Sequence, residues 1–301
     1  MNLFTPAPAT FDLAGPLPTG TTVLEASAGT GKTYTIAGLV TRFVAEGRAR
    51  IDQLLVVTFG RAATAELRDR VRERLVQARD ALAEPEGAAT HPDEVVRMLA
   101  NGDPGEVARC RARLAAALAA FDSATVATIH EFCQQVLTSL GTAADVDPGA
   151  TLVEDFSDLV EEVCDDLYVR FSVRPGAAPL PFSRTVALRI AKEAVSRADA
   201  RLEPVTTVPE TPENLRVRFA QGVRRELAAR KRARRILGFD DLLAVLREAL
   251  AADVAGPVAC ERLRRRYSVV LVDEFQDTDA VQWDIPHRAF HNRHDAGGGP
   301  L

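Results

Sequence analysis

Apolar residues along this chain keep two rhythms. Nearly unbroken apolar runs fill Leu54-Leu55-Val56-Val57-Thr58 and Ser268-Val269-Val270-Leu271-Val272. Runs without polar alternation are what a parallel sheet buries on both faces. Shorter segments, Thr22 to Ala26 and Thr125-Val126-Ala127-Thr128, predict two more strands. The second rhythm recurs every three or four residues. Leu67, Val71, Leu75, Ala78 and Leu82 form one such stripe and predict a helix over about 62–82. Helices are also predicted over 33–46, with Gly47 as its stop, and over 106–120, 129–140 and 239–250. A short helical segment is expected between Pro- and Gly-bearing loops at 84–93 and 101–105. The order β-α-β-α-α-β-α predicts an α/β fold, a parallel sheet flanked by helices.

The pattern changes at Gly141 to Pro148. From Thr151 to Arg235 no strand is expected. Helical stretches at 156–171, 185–198 and 214–236 are broken by Pro175, Pro179, Pro181 and a Pro-Thr-rich run, Pro204 to Pro212. This predicts a helical subdomain inserted into the α/β domain, with divisions at 1–145, 146–237, 238–290 and a tail at 291–301. The end of the insert is strongly basic: Arg224, Arg225, Arg230, Lys231, Arg232, Arg234 and Arg235, preceded by Arg216 and Arg218. Two readings stay open for it, a solvated helix face or a contact to a phosphate backbone.

Composition narrows the class. The 301 residues are 47% hydrophobic and 26% charged, ordinary for a globular protein, and the net charge is −5. There is no global basic signature, so any nucleic-acid site must be a local patch. Met1 to Thr10 lacks a basic segment and an apolar core, so no signal peptide is expected. No apolar run approaches the ~20 residues of a membrane span, and no membrane association is expected. Cys110, Cys133, Cys164 and Cys260 are scattered, without a C-x-x-C, and read as free buried thiols of a reducing cytoplasm.

The candidate chemistry begins at Ala26-Ser27-Ala28-Gly29-Thr30-Gly31-Lys32-Thr33. A glycine turn between an expected strand and an expected helix is the context of a phosphate-binding loop. Gly29 and Gly31 let the backbone bend and aim its N–H groups inward, and the helix N-terminus favours an anion. Lys32 can reach the β- and γ-phosphates of ATP, and the Thr33 hydroxyl can ligate Mg²⁺. Ala26 stands where the loop pattern has its first glycine. Of 37 basic residues only Lys32, Lys192 and Lys231 are lysines, so a compact ammonium falls where a guanidinium fork would not fit. The strand at 268–272 ends in Asp273-Glu274-Phe275-Gln276-Asp277. Carboxylates there lie at the phosphate face of an α/β sheet. Asp273 can hold Mg²⁺, and Glu274 can orient and deprotonate the water that attacks the γ-phosphate.

Four segments together resemble the superfamily 1 DNA helicases of the UvrD/Rep type. They are Glu25 to Thr33; Val57-Thr58-Phe59 with Ala62 to Arg68; Ala127-Thr128-Ile129-His130-Glu131-Phe132-Cys133; and Val272 to Asp279. The wording of the first and last, with Gly238-Phe239-Asp240-Asp241-Leu242-Leu243, is similar to the RecB branch, helicase–nuclease subunits of exonuclease V. The resemblance covers about Phe11 to Ile285. It implies a RecA-like P-loop fold, ATP-driven DNA unwinding in double-strand-break repair and recombination, and RecC- and RecD-like partner subunits. It also implies that Gln276 couples the γ-phosphate to DNA, and that Thr58, Phe59, Thr128 and His130 lie along a single-stranded DNA path. Gly60-Arg61 and Thr19 depart from the family pattern, at a DNA contact and at adenine recognition.

The family continues into a second RecA-like domain that closes over ATP. Here the chain turns instead to His291–Leu301, which suits neither strand nor helix and is expected to be a frameshifted tail. The resemblance therefore implies one wall of the catalytic site, and weak or absent turnover by this chain alone.

Overall fold

The computed structural model describes residues 10–26, 31–140, 150–173, 180–197, 200–204 and 211–291. They form two compact units, one from residues 1–144 with 243–301 and one from residues 145–242.

The first unit carries helices α1 (Lys32–Ala45), α2 (Arg61–Ala81), α3 (Pro85–Ala88), α4 (Glu94–Ala100), α5 (Pro104–Ala119) and α6 (Ile129–Leu140). Its strands β1 (Leu54–Thr58) and β2 (Thr125–Thr128) alternate with them. The apolar stripe of α2 is buried at Leu67, Val71, Leu75 and Ala78, and it packs with α1 and α5 into one core with Leu54 and Val56 of the sheet. Each fully buried Leu or Val there contributes about 1.5–3 kcal/mol relative to exposure.

The second unit holds β3 (Thr151–Leu152), α7 (Ser157–Ser172), α8 (Arg184–Ser196), α9 (Pro212–Arg234) and β4 (Ile236–Leu237). The two short strands pair in parallel, a pairing the helical reading of this stretch did not anticipate. The core of the unit is Val163, Cys164, Phe219 and Val223, with Phe171 and Phe182 set edge-on to the Phe219 ring. Helix α10 (Phe239–Ala251) spans the chain position where one unit gives way to the other.

The first unit then resumes with α11 (Ala255–Arg266), β5 (Val269–Val272) and α12 (Ala280–Pro286), followed by a π-helical turn at His287–His291. Helix α11 was not expected. Pro257 stands in its first turn, where proline is tolerated. Ala259, Cys260 and Leu263 form the helix's buried face. The tail at 292–301 lies outside the described residues.

The sheet of the first unit is parallel, in the order β2-β1-β5. Thr58 lies opposite Thr128, and Val57 opposite Val272. The three strands therefore end together, and the Asp273 N–H donates to the Val57 carbonyl at 2.8 Å.

The strand expected at Thr22–Ala26 is not formed, and Val23 is 71% exposed. Both edges of β1 are taken by β2 and β5, and no described strand pairs with the far side of β5. Thr22–Ala26 does not dock on that open edge, so its backbone joins no ladder.

Candidate nucleotide site

Two chain segments build the site. One is the start of α1. Gly31 precedes it at φ 89°, a left-handed conformation that glycine adopts without cost. Gly31 has no side chain to cap this helix, so among the described residues the N–H groups of its first turn keep their capacity for an outside acceptor. Ser27 to Thr30 of the expected phosphate loop lie outside the described residues. Ala26 on one side of them is exposed, while Gly31, Lys32 and Thr33 on the other are half-buried.

The other segment is the end of β5. Because Val57 and Val272 share a register, Asp273 and Glu274 leave the sheet beside the ends of β1 and β2. Glu274 sits at φ 50°, ψ 43°, uncommon for a residue with a Cβ and costing about 1–3 kcal/mol. Such strain persists where surrounding contacts fix the geometry. The Glu274 N–H donates to Asp273 Oδ1 at 2.9 Å.

The two segments meet in one ion pair. Lys32 Nζ lies 2.5 Å from Glu274 Oε2, across 242 positions of sequence. Gln276 Nε2 donates to the same oxygen. Three of the sequence-predicted site residues, Lys32, Glu274 and Gln276, are thus brought onto one carboxylate. The Glu274 hydrogen bond raises the Lys32 pKa above 10.5, so the ammonium stays protonated at neutral pH. The Lys32 hydrogen bond, then that of Gln276, holds the Glu274 carboxyl below its usual range. Burial is the main cause that raises the Asp273 pKa, opposed first by the hydrogen bond from the Glu274 N–H and least by Lys32.

The donor set suits a hard cation carried in on phosphates. Asp273 offers a carboxylate and Thr33 a hydroxyl, both oxygen donors. A Mg²⁺ that binds through one or two protein oxygens takes its remaining ligands from phosphate and water. A protonated lysine, an uncapped helix start and a carboxylate beyond them match a polyphosphate ester and the water that attacks it.

The sequence-predicted DNA residues cluster at the same end of the sheet but differ in availability. Phe59 is 57% exposed just beyond β1. Thr58 is buried, and its hydroxyl lies 2.5 Å from that of Thr64 in the first turn of α2. Thr128 is buried too. Its N–H donates to Glu131 Oε2 at 2.8 Å, and its hydroxyl accepts from the Glu131 N–H at 3.2 Å, a reciprocal cap on α6. The two threonines are committed to shaping the loops. His130 is half-buried in the first turn of α6.

One residue that supports the site was missed by the sequence reading. Arg74 lies on the apolar stripe of α2, three residues after Val71 and four before Ala78, and that placement was its signal. Its guanidinium donates to the Tyr34 carbonyl at 2.7 Å and stacks on the Tyr34 ring at 3.7 Å. It also binds Asp93, the N-cap of α4, at 2.8 Å. Tyr34 is two residues after Lys32, so Arg74 fastens the first turn of α1 from behind. Gly38 makes room for it, because a Cβ there would lie 3.2 Å from the guanidinium carbon and 2.5 Å from Leu13. Arg42 acts similarly on the lead-in, donating to the Leu13 and Gly15 carbonyls. The four cysteines are free and buried, and burial pushes the Cys133 thiol up to about 12.

The fold and the paired motif residues define a class. The chain matches the UvrD/REP helicase N-terminal domain over residues 12–296 and belongs to that family. Among curated relatives it is 50% identical over 286 residues to the RecBCD enzyme subunit RecB of Mycolicibacterium smegmatis, covering 94% of this chain and 26% of that protein. It is 47% identical over 289 residues to the RecBCD enzyme subunit RecB of Mycobacterium tuberculosis, covering 95% and 26%. The Escherichia coli protein of the same name is 27% identical over 394 residues, covering 91% and 33%. The chain therefore spans about a quarter to a third of the length of these relatives.

Proposed function

We propose that this chain is the N-terminal, nucleotide-binding portion of a RecB-like ATP-dependent DNA helicase subunit that acts in double-strand-break repair and recombination. The observation that carries the reading is the Lys32–Glu274 pair, which joins the start of α1 to the end of β5. Ala26, Ser27, Ala28, Gly29, Thr30 and Gly31 would wrap the phosphates, with Lys32 on the β- and γ-oxygens. Thr33 and Asp273 would hold Mg²⁺, whose charge offsets that developing on the γ-phosphoryl group. Glu274, released by Lys32, would orient and deprotonate the attacking water, and Gln276 would report the γ-phosphate to the DNA path. Phe59 offers an exposed ring on which a base can stack, with His130 nearby in the motif and Thr58 and Thr128 setting the loops.

The relatives are named as subunits of a RecBCD enzyme, which supports RecC- and RecD-like subunits as partners of the whole protein. No helix among the described residues is long and apolar enough to cross a membrane, and the buried free thiols fit a cytoplasmic setting. The test is equilibrium binding and hydrolysis of Mg-ATP by the 301-residue chain, with and without single-stranded DNA, beside Lys32→Ala. The proposal expects nucleotide binding that Lys32→Ala weakens about 10- to 100-fold, the worth of a charged hydrogen bond. It expects little turnover, because phosphoryl transfer depends on charge stabilisation from more than one wall. Nucleotide binding unchanged in Lys32→Ala would overturn it.

A further inference from the structure

The sheet of the first unit has two ends. The nucleotide site gathers where β1, β2 and β5 finish. Where they begin, a cavity of about 590 Å³ opens within the same unit. Arg50 and Asp52 line it just ahead of β1, and Arg265 and Arg266 just ahead of β5. Asp122 and Thr125 line it at the start of β2, and Arg68 reaches it from α2.

The charged lining is four arginines against two aspartates, on a chain whose net charge is −5. Two of the arginines are committed. Arg50 binds Asp52 through two hydrogen bonds of 3.0 and 2.6 Å, and Arg265 binds Glu261 at 2.5 Å. The other two are loosely held. Arg68 lies 3.7 Å from Asp122, whose side chain is fully exposed, and donates a long bond of 3.4 Å to the Ala124 carbonyl. Arg266 makes no hydrogen bond or ion pair among the described residues, and rests 5.1 Å from the centre of the Tyr267 ring. A buried pair of hydroxyls adds a donor. Thr125 Oγ1 and the Tyr267 hydroxyl lie 3.3 Å apart. Two hydroxyls bring two hydrogens, and the bond between them uses one. The second has no acceptor among the described residues.

We propose that this cavity binds a small anion bearing two or more phosphate groups, at the end of the sheet opposite the nucleotide site. Two guanidinium groups with donors to spare match phosphate oxygens at fixed angles, and the hydroxyl pair supplies one donor more. The lining carries two positive charges in excess, which a multiply charged anion offsets. Only Ala124 and Val126 of the lining are apolar, so the wall offers no bed for a hydrophobic ligand. The volume exceeds that of a single phosphate and falls in the range of small-molecule sites, roughly 300–1,000 Å³.

The experiment titrates pyrophosphate, without Mg²⁺, into the 301-residue chain carrying Lys32→Ala, which removes the cation of the nucleotide site. Calorimetry should record one saturable site. Arg266→Gln and Arg68→Gln should each weaken it about 10-fold or more, the worth of a charged hydrogen bond. Thr125→Val should weaken it about two- to tenfold. A control with Arg70→Gln and Arg109→Gln removes exposed arginines already held by Glu66 and Glu106, and should change little. Arg68 also lies over the Phe121 ring, so the exposed Arg266 carries the test if Arg68→Gln unfolds. The inference is overturned by the absence of saturable binding, by binding unchanged in Arg266→Gln, or by an equal loss in the control. Citrate binding as tightly as pyrophosphate overturns it too, as does displacement of pyrophosphate by a short single-stranded oligonucleotide. The helicase reading fails separately, through Mg-ATP binding that Lys32→Ala leaves unchanged.

Discussion

Two cation–carboxylate pairs flank the start of α1, and they do opposite jobs. Arg74 and Asp93 are nearly buried, with side-chain exposures of 6% and 14%, and both terminal guanidinium nitrogens are hydrogen-bonded, while the buried Nε has no partner among the described residues. The pair ties α1, α2 and the cap of α4 into one block. Lys32 and Glu274 are about a third exposed, and the Lys32 ammonium makes no other hydrogen bond among the described residues. A guanidinium fork suits the first task, because it binds several acceptors at fixed angles. An ammonium suits the second, because it can leave one oxygen for another. The fold is locked behind α1 and left exchangeable in front of it.

The largest effect should come from the locked pair. Arg74→Ala strands a buried carboxylate and should cost about 3–5 kcal/mol in urea unfolding, and Arg74→Lys should recover only part of that. Lys32→Ala should leave the urea midpoint where it is while nucleotide binding falls about 10- to 100-fold. If both variants unfold alike, the two pairs are not different in kind.

Glu274→Gly should raise stability by about 1 kcal/mol, since glycine takes the left-handed conformation without strain, while the proposed function expects it to abolish any ATP hydrolysis. Glu274→Gln removes the charge that competes for Lys32. It should tighten nucleotide binding about two- to fivefold, the scale of an exposed ion pair.

The smallest effect is a titration. Without nucleotide, the Glu274 carboxyl should titrate below the ordinary carboxylate range because Lys32 holds its ionised form. The pair is then intact at neutral pH. It is lost as pH falls through that lowered pKa, or rises through the raised pKa of Lys32. When a phosphate takes Lys32, the Glu274 pKa should climb, and NMR of the carboxyl carbon would record the shift.

Much of this was legible in the sequence because local pattern decided it. The runs at 54–58 and 268–272 needed only burial on both faces, and the motif residues needed only to stand at strand ends. Thr22–Ala26 has the look of a strand, yet a strand also needs a neighbour, which pattern along one segment cannot supply. Arg74 was hidden because an arginine on an apolar stripe reads as an interruption until its acceptors on α1 and α4 are known. The basic run of α9 was visible as charge, but only the packing of α7 and α8 separates Arg230 and Arg234, held by Glu162, from Arg218, Arg225 and Arg232, whose side chains no described residue engages.

The most direct test is the position of Lys32 in a crystal of the chain with Mg²⁺ and a non-hydrolysable ATP analogue. The account predicts that Lys32 Nζ leaves Glu274 for a β- or γ-phosphate oxygen while Arg74 keeps both Asp93 and the Tyr34 carbonyl. A bound nucleotide with Lys32 still on Glu274 would contradict it.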